Sequence, residues 1–189
     1  MGSSVPPTAA RRQVTAYLCL AWTLLLSLPV IANAQKSLDA SQHPTLRGVT
    51  GVSVAVERIW EDAATLGLTE ADIRADAERA LRVLGIRSLN GQEAATIRGG
   101  AYLHIVVHTH IAESVKDVSV YDIRVAVVQK VRLVRDAAVS FYSETWSARS
   151  RLGVIDRGFL ADRVREDVRH MVREFSDAYL AANQRQREN

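Results

Sequence analysis

The stretch at 102–111, Y-L-H-I-V-V-H-T-H-I, alternates apolar and polar positions almost without a break. Leu103, Ile105, Val107, Thr109 and Ile111 share one side of an extended chain, and His104, Val106, His108 and His110 share the other. A period of two over ten residues marks a strand with one face in a core and the other toward water, and such strands pair antiparallel. A longer partner follows at 118–134. There Tyr121, Ile123, Val125, Val127, Val131 and Leu133 fall on one face and Asp122, Arg124, Lys130 and Arg132 on the other, with Gln129 the polar exception on the apolar side. Opposed residues must point the same way, which sets His108 against Asp122 and Val106 against Arg124.

The remaining elements are arranged around this pair. Val52, Val54 and Val56 alternate with Ser53, Ala55 and Glu57, which predicts a first strand within 46–59. Thr69 opens a helix over 70–84, whose apolar residues Ile73, Ala77, Ala80, Leu81 and Leu84 recur at helical steps before Gly85 stops it. A short strand at 86–89 ends in the turn signal Asn90-Gly91. A hairpin turn at 135–138 leads to a last strand at 139–149, closed by a break at Gly153, with Lys130 set opposite Glu144. Leu160, Val164, Val168, Met171, Val172, Phe175, Ala178 and Tyr179 then form one stripe on a long helix, for which Asp156 or Asp162 is the start signal. The order β-α-β-β-β-β-α predicts an α+β fold: a two-layer sandwich with a mainly antiparallel sheet of four to five strands and two helices on one face.

The first 34 residues are set apart. Arg11 and Arg12 precede an apolar run at 14–31, and Ala32-Asn33-Ala34 places small residues where a signal peptidase reads them, so 1–34 is expected to be a cleaved signal peptide. The run also approaches the length of a membrane anchor, but Pro29 and the small-residue site favour cleavage. Residues 35–45 are expected to be a flexible lead-in, 46–184 a single domain and 185–189 a disordered tail. Cys19, the one cysteine, lies in the leader behind bulky Tyr17-Leu18, which rules out lipid attachment there and leaves no disulfide or thiolate chemistry in the exported part. Without Arg11 and Arg12 the 24 basic residues fall to 22 against 21 acidic ones, so charge makes no case for nucleic acid.

Little in the chain carries chemistry. Ser140, Ser143 and Ser147 sit in no strand-to-helix elbow, and Arg98-Gly99-Gly100 lacks the lysine and following helix of a phosphate loop. His108 and His110, about 6.6 Å apart along one strand face, can present two imidazoles to a Zn or Cu ion with Asp122 as a third ligand. The bland reading treats them as polar residues on a wetted sheet face. Tyr142 and Trp146, in phase with Val106, Ala126 and Val128, are expected to make a partly apolar patch on the outer face; the opposite phase of the last strand buries both aromatics instead. The arginines at 157, 163, 165, 169 and 173 alternate with Asp162, Glu166, Asp167 and Glu174, the pattern of a solvated helix face laced with ion pairs.

Leu46-Arg47-Gly48-Val49 with Gly51-Val52, Gly67-Leu68-Thr69 before the first helix, Gly85-Ile86 after it, Tyr102-Leu103, Trp146 and the closing Tyr179-Leu180-Ala181-Ala182-Asn183 resemble an uncharacterised family of exported bacterial proteins. More distantly, the order of elements is similar to the N-terminal domain of TolB and to CsgG-type envelope proteins, although there is no lipid-bearing cysteine, membrane-spanning insertion or following propeller. These are framework residues, so the resemblance transfers no functional residue. The faces of the sheet, together with this resemblance, lead to the expectation of a non-catalytic periplasmic or secreted protein without a cofactor that binds an envelope protein through an exposed sheet edge or through the outer sheet face, where the strand phases place Tyr142, Trp146, Val106 and Val128 as partner-binding residues. The alternative is a small metal- or ligand-binding protein using His108, His110 and Asp122.

Overall fold

In the computed structural model, which describes residues 43–97, 100–111 and 117–183, the alternating stretch is a strand. This strand, β3 (Ala101–Ile111), turns Leu103, Ile105 and Val107 into the core. β4 (Val118–Arg132) runs antiparallel to it, with His108 opposite Asp122 and Val106 opposite Arg124 as the alternation requires. On the other side of β3, β1 (Val52–Val56) is parallel, and β2 (Ser88–Leu89) is parallel to β1. β4 is long enough to hold two partners on its far edge. β5 (Ser140–Ser147) pairs with its C-terminal half and β6 (Arg151–Asp156) with its N-terminal half. Six strands therefore stand five abreast in a mixed sheet, β2-β1-β3-β4 and then β5 with β6.

Four helices accompany the sheet among the described residues: α1 (Glu61–Thr65), α2 (Glu70–Val83), α3 (Gly91–Thr96) and α4 (Leu160–Asn183). Thr69 caps α2 by accepting from the Asp72 amide at 3.1 Å, and Gly85 follows its last turn at φ 74°, a backbone angle that side chains with a Cβ avoid. Ile73, Ala77 and Leu81 of α2 and the stripe Leu160, Val164, Val168, Met171, Val172 and Phe175 of α4 are sealed from solvent. The two long helices pack on each other, α2 against β1 and α4 against β4, so the core lies between one helical layer and one sheet face. The fold is α+β, as the order of elements predicts.

The structure departs from the sequence expectation where a polar group or a glycine acts through a distant partner. Asn90-Gly91 opens α3: the Asn90 side chain accepts from the Glu93 amide and the Glu93 carboxylate accepts from the Asn90 amide, both at 2.9 Å. Gly153 lies within β6, opposite Tyr121, whose ring occupies the space a Cβ would need. Gly153→Ala is therefore expected to lose about 1–3 kcal/mol of stability by forcing that ring aside. An unchanged urea midpoint would show that the ring does not rest on the glycine.

The start of the domain is likewise pinned. Thr45 lies in the expected flexible lead-in, yet its hydroxyl donates to Thr145 O at 2.8 Å and its carbonyl accepts from Gln129 Nε2 at 3.0 Å. Gln129, the polar exception of β4, thus ties the entering chain to the sheet. At the end of α4, Asn183 accepts from the Gly48 amide at 2.8 Å and donates to Leu46 O at 3.0 Å, while the Tyr179 hydroxyl donates to Val49 O at 2.7 Å. The Leu46-Arg47-Gly48-Val49 and Tyr179-to-Asn183 motifs are two halves of one clamp. The expectations for 1–34, for 35–42 and for the tail 185–189 lie outside the described residues, as do residues 112–116 of the connection after β3.

Candidate functional site

Both long helices cover one face of the sheet, which leaves the side chains of the other face to cover themselves. Tyr102 of β3 and Tyr142 of β5 reach across β4 toward each other, ring centroids 6.1 Å apart, and His104 meets the Tyr102 ring edge-on at the same distance. Beneath them Ala126 and Val128 are buried although they point away from the core. Arg124 and Glu144 form an ion pair beside this cluster, and His104 Nε2 lies 3.8 Å from a Glu57 oxygen. Along β6 the same face continues with Leu152 and Val154, which are 75% and 70% exposed and stand opposite Asp122 and Val120. The result is a face with Tyr142 at one end and Leu152 and Val154 at the other, and with Lys130, Arg124 and Asp122 among them.

Of the expected partner-binding residues, Tyr142, Val106 and Val128 share this outer face, Tyr142 being 61% exposed. Trp146 does not. It is 6% exposed, opposite Val127, with its ring 5.5 Å from that of Phe175 in the core. The reason is a bulge: Val127 pairs with Trp146 but Val128 with Glu144, so Thr145 is an extra residue and the strand changes phase across it. The same irregularity places Lys130 opposite Tyr142, two residues from the expected Glu144. Leu152 and Val154 escape the sequence reading because Gly153 between them looks like a break, although their alternation with Arg151 and Ile155 is the signal that finds them.

His108 faces Asp122 across the strand pair, but His110 faces Val120. Among the described residues no group of three or more His, Cys, Asp or Glu side chains is placed to hold a metal ion, so the set His108, His110 and Asp122 is not assembled as a metal centre.

Two acids sit deep instead, Asp76 on α2 against α4 and Asp167 on α4 itself. Asp76 of α2 meets Arg165 at 2.8 and 3.2 Å and Arg169 at 3.1 Å. Asp167 accepts from the Tyr121 hydroxyl at 2.8 Å and is flanked by Arg163 at 3.2 Å and Arg151 at 3.4 Å. Burial, together with the Asp167 carboxylate, holds the Tyr121 hydroxyl above its usual pKa despite the opposing Arg163 bond, so it stays a donor at neutral pH. Each acid is answered by arginines; these networks fasten helix to helix and helix to sheet.

No protein-family model matches the sequence, and no curated protein matches it. Among solved structures, rare lipoprotein B from Shewanella oneidensis is similar over 70% of this chain and 92% of that chain, at 13% identity and a TM-score of 0.24. A likeness at that level carries no argument about what this chain does.

Proposed function

We propose that the protein is a non-catalytic, exported component of the bacterial cell envelope that binds a protein partner with the outer face of its sheet. The leader-like segment with Arg11, Arg12 and Ala32-Asn33-Ala34 supports export, and among the described residues no helix is long and apolar enough to cross a membrane. The observation that carries the binding reading is the exposure of Tyr142, Leu152 and Val154 on the sheet face that neither long helix covers. Exposed apolar side chains interspersed with charged ones, here Lys130, Arg124 and Asp122, are a composition that protein interfaces share.

Photo-cross-linking in cells tests it, with the reactive group placed at position 142, at 152, or at exposed Val83 on α2 as a control on the helical layer. One adduct of common mass from 142 and 152, absent from 83, is expected. Combining Leu152→Asp with Val154→Asp should weaken that adduct at least about tenfold in a protein that melts as wild type does, since both side chains are exposed. Equal adducts from all three positions, or none from 142 and 152, would remove the face as a binding site.

A further inference from the structure

The edge of the sheet at β5 has a pattern that fits its own copy. The Leu133 amide donates to Val139 O at 3.2 Å, and bonding alternates along an antiparallel pair, so Phe141 and Ser143 also direct their backbone groups to β4. Ser140, Tyr142 and Glu144 then direct theirs outward. Of these, the Glu144 carbonyl takes only a long, 3.4 Å bond from Ser143 Oγ. From Thr145 onward the edge is occupied, because Thr45 bonds the Thr145 carbonyl. Among the described residues the run at 140–144 is open; it contains no proline and no basic residue, two usual guards of an edge strand, and it exposes an aromatic on each face, Phe141 inward and Tyr142 outward.

We propose that β5 pairs antiparallel with β5 of a second copy of this chain about a two-fold axis at Tyr142. That register is the one that engages all three outward residues: Tyr142 meets its own copy, and each Ser140 meets the other copy's Glu144, giving about six backbone hydrogen bonds. Moving the axis to Phe141 or Ser143 engages two of the three residues, and moving it to Glu144 sets two carboxylates face to face. Charge favours the Tyr142 axis as well. Ser140 lies opposite exposed Arg132 on β4, so the second copy's Glu144 stands two strands from that guanidinium with only a serine between, within reach of two long side chains. Phe141 of the two copies become diagonal neighbours, which covers part of the apolar inner side of the β4–β5 hairpin. The two six-stranded sheets join into one, with their outer faces continuous. The pairing uses edge backbone groups and stands whether or not the outer face binds an envelope protein.

Such a contact is small, so the dimer is weak and concentration-dependent. In sedimentation equilibrium of the purified protein between about 10 µM and about 1 mM, the weight-average mass should rise toward twice that of the monomer. Ser140→Glu faces Arg132 within its own sheet, which spares the fold, but places like charges together at two symmetric points of the dimer; the dissociation constant should rise about tenfold or more. Ser140→Lys should lower it several-fold by facing the second copy's Glu144. Ser140→Glu should keep the wild-type melting temperature within about 2 °C, and Ser140→Lys, which stands opposite Arg132 in its own sheet, should lower it by about 1–4 °C without unfolding the protein. A protein monomeric at the highest concentration, or a dimer that both substitutions shift in the same direction or leave unchanged, would overturn the proposal.

Discussion

Asp76→Ala is expected to cost the protein about 2–3 kcal/mol of unfolding free energy, among the largest losses for any single polar side chain. Asp76 is 2% exposed, and its two oxygens take three bonds from Arg165 and Arg169 across the α2–α4 contact, with Arg79 at 3.3 Å on its own helix. Removing one partner of a buried pair costs about 3–5 kcal/mol, and the lower figure here reflects arginines that reach solvent, at 32% and 41% exposed. The Arg165 hydrogen bond is the main reason that the Asp76 carboxyl ionises below its usual pKa, with Arg169 adding to it and burial working against both. A pKa lower in the folded than in the unfolded state makes the contribution complete above the unfolded value of about 3.9 and lost as pH falls through the folded value. Urea denaturation of wild type and Asp76→Ala should thus show a gap at pH 7 that holds to about pH 4 and narrows below it. A gap under about 0.5 kcal/mol at pH 7 would mean that the arginines prefer water to this acid.

The same logic explains why part of the molecule was legible in sequence and part was not. The register of β3 on β4 follows from two strict alternations that have to agree, and the α4 stripe from eight apolar residues at helical spacing, because burial of one face is a local, periodic demand. Asp167 looked like any acid among the arginines of a solvated helix. It is buried because the helical period sets it beside Val164 and Val168, and because the hydroxyl of Tyr121, 46 residues earlier, needs an acceptor inside the core. Gly153 reads as a break until the Tyr121 ring lying on it is known. Each of these depends on a contact between residues far apart in the chain, to which a pattern within one segment is blind. The expected site divides along the same line: Val106 and Val128 are placed correctly by alternation on unbroken strands, whereas β5 carries an extra residue at Thr145 that no periodicity announces.

That extra residue makes Tyr142 and Trp146 respond oppositely to truncation. Trp146→Ala should lose about 3–5 kcal/mol, since it empties a core position packed against Phe175 and closed to solvent by α4. Tyr142→Ala should lose about 1 kcal/mol or less, the cost of a cross-strand contact with Tyr102 on an exposed surface. Four residues apart on an unbroken strand, the two would share a face and a fate. Fluorescence separates the cases without relying on stability alone: Trp60 is 67% exposed, so in a background with Trp22→Phe and Trp60→Phe the emission comes from Trp146 and should be blue-shifted and shielded from acrylamide until the protein unfolds. Ready quenching in the native state, or equal losses for the two truncations, would mean that β5 runs in one phase and that the face available to a partner includes Trp146 after all.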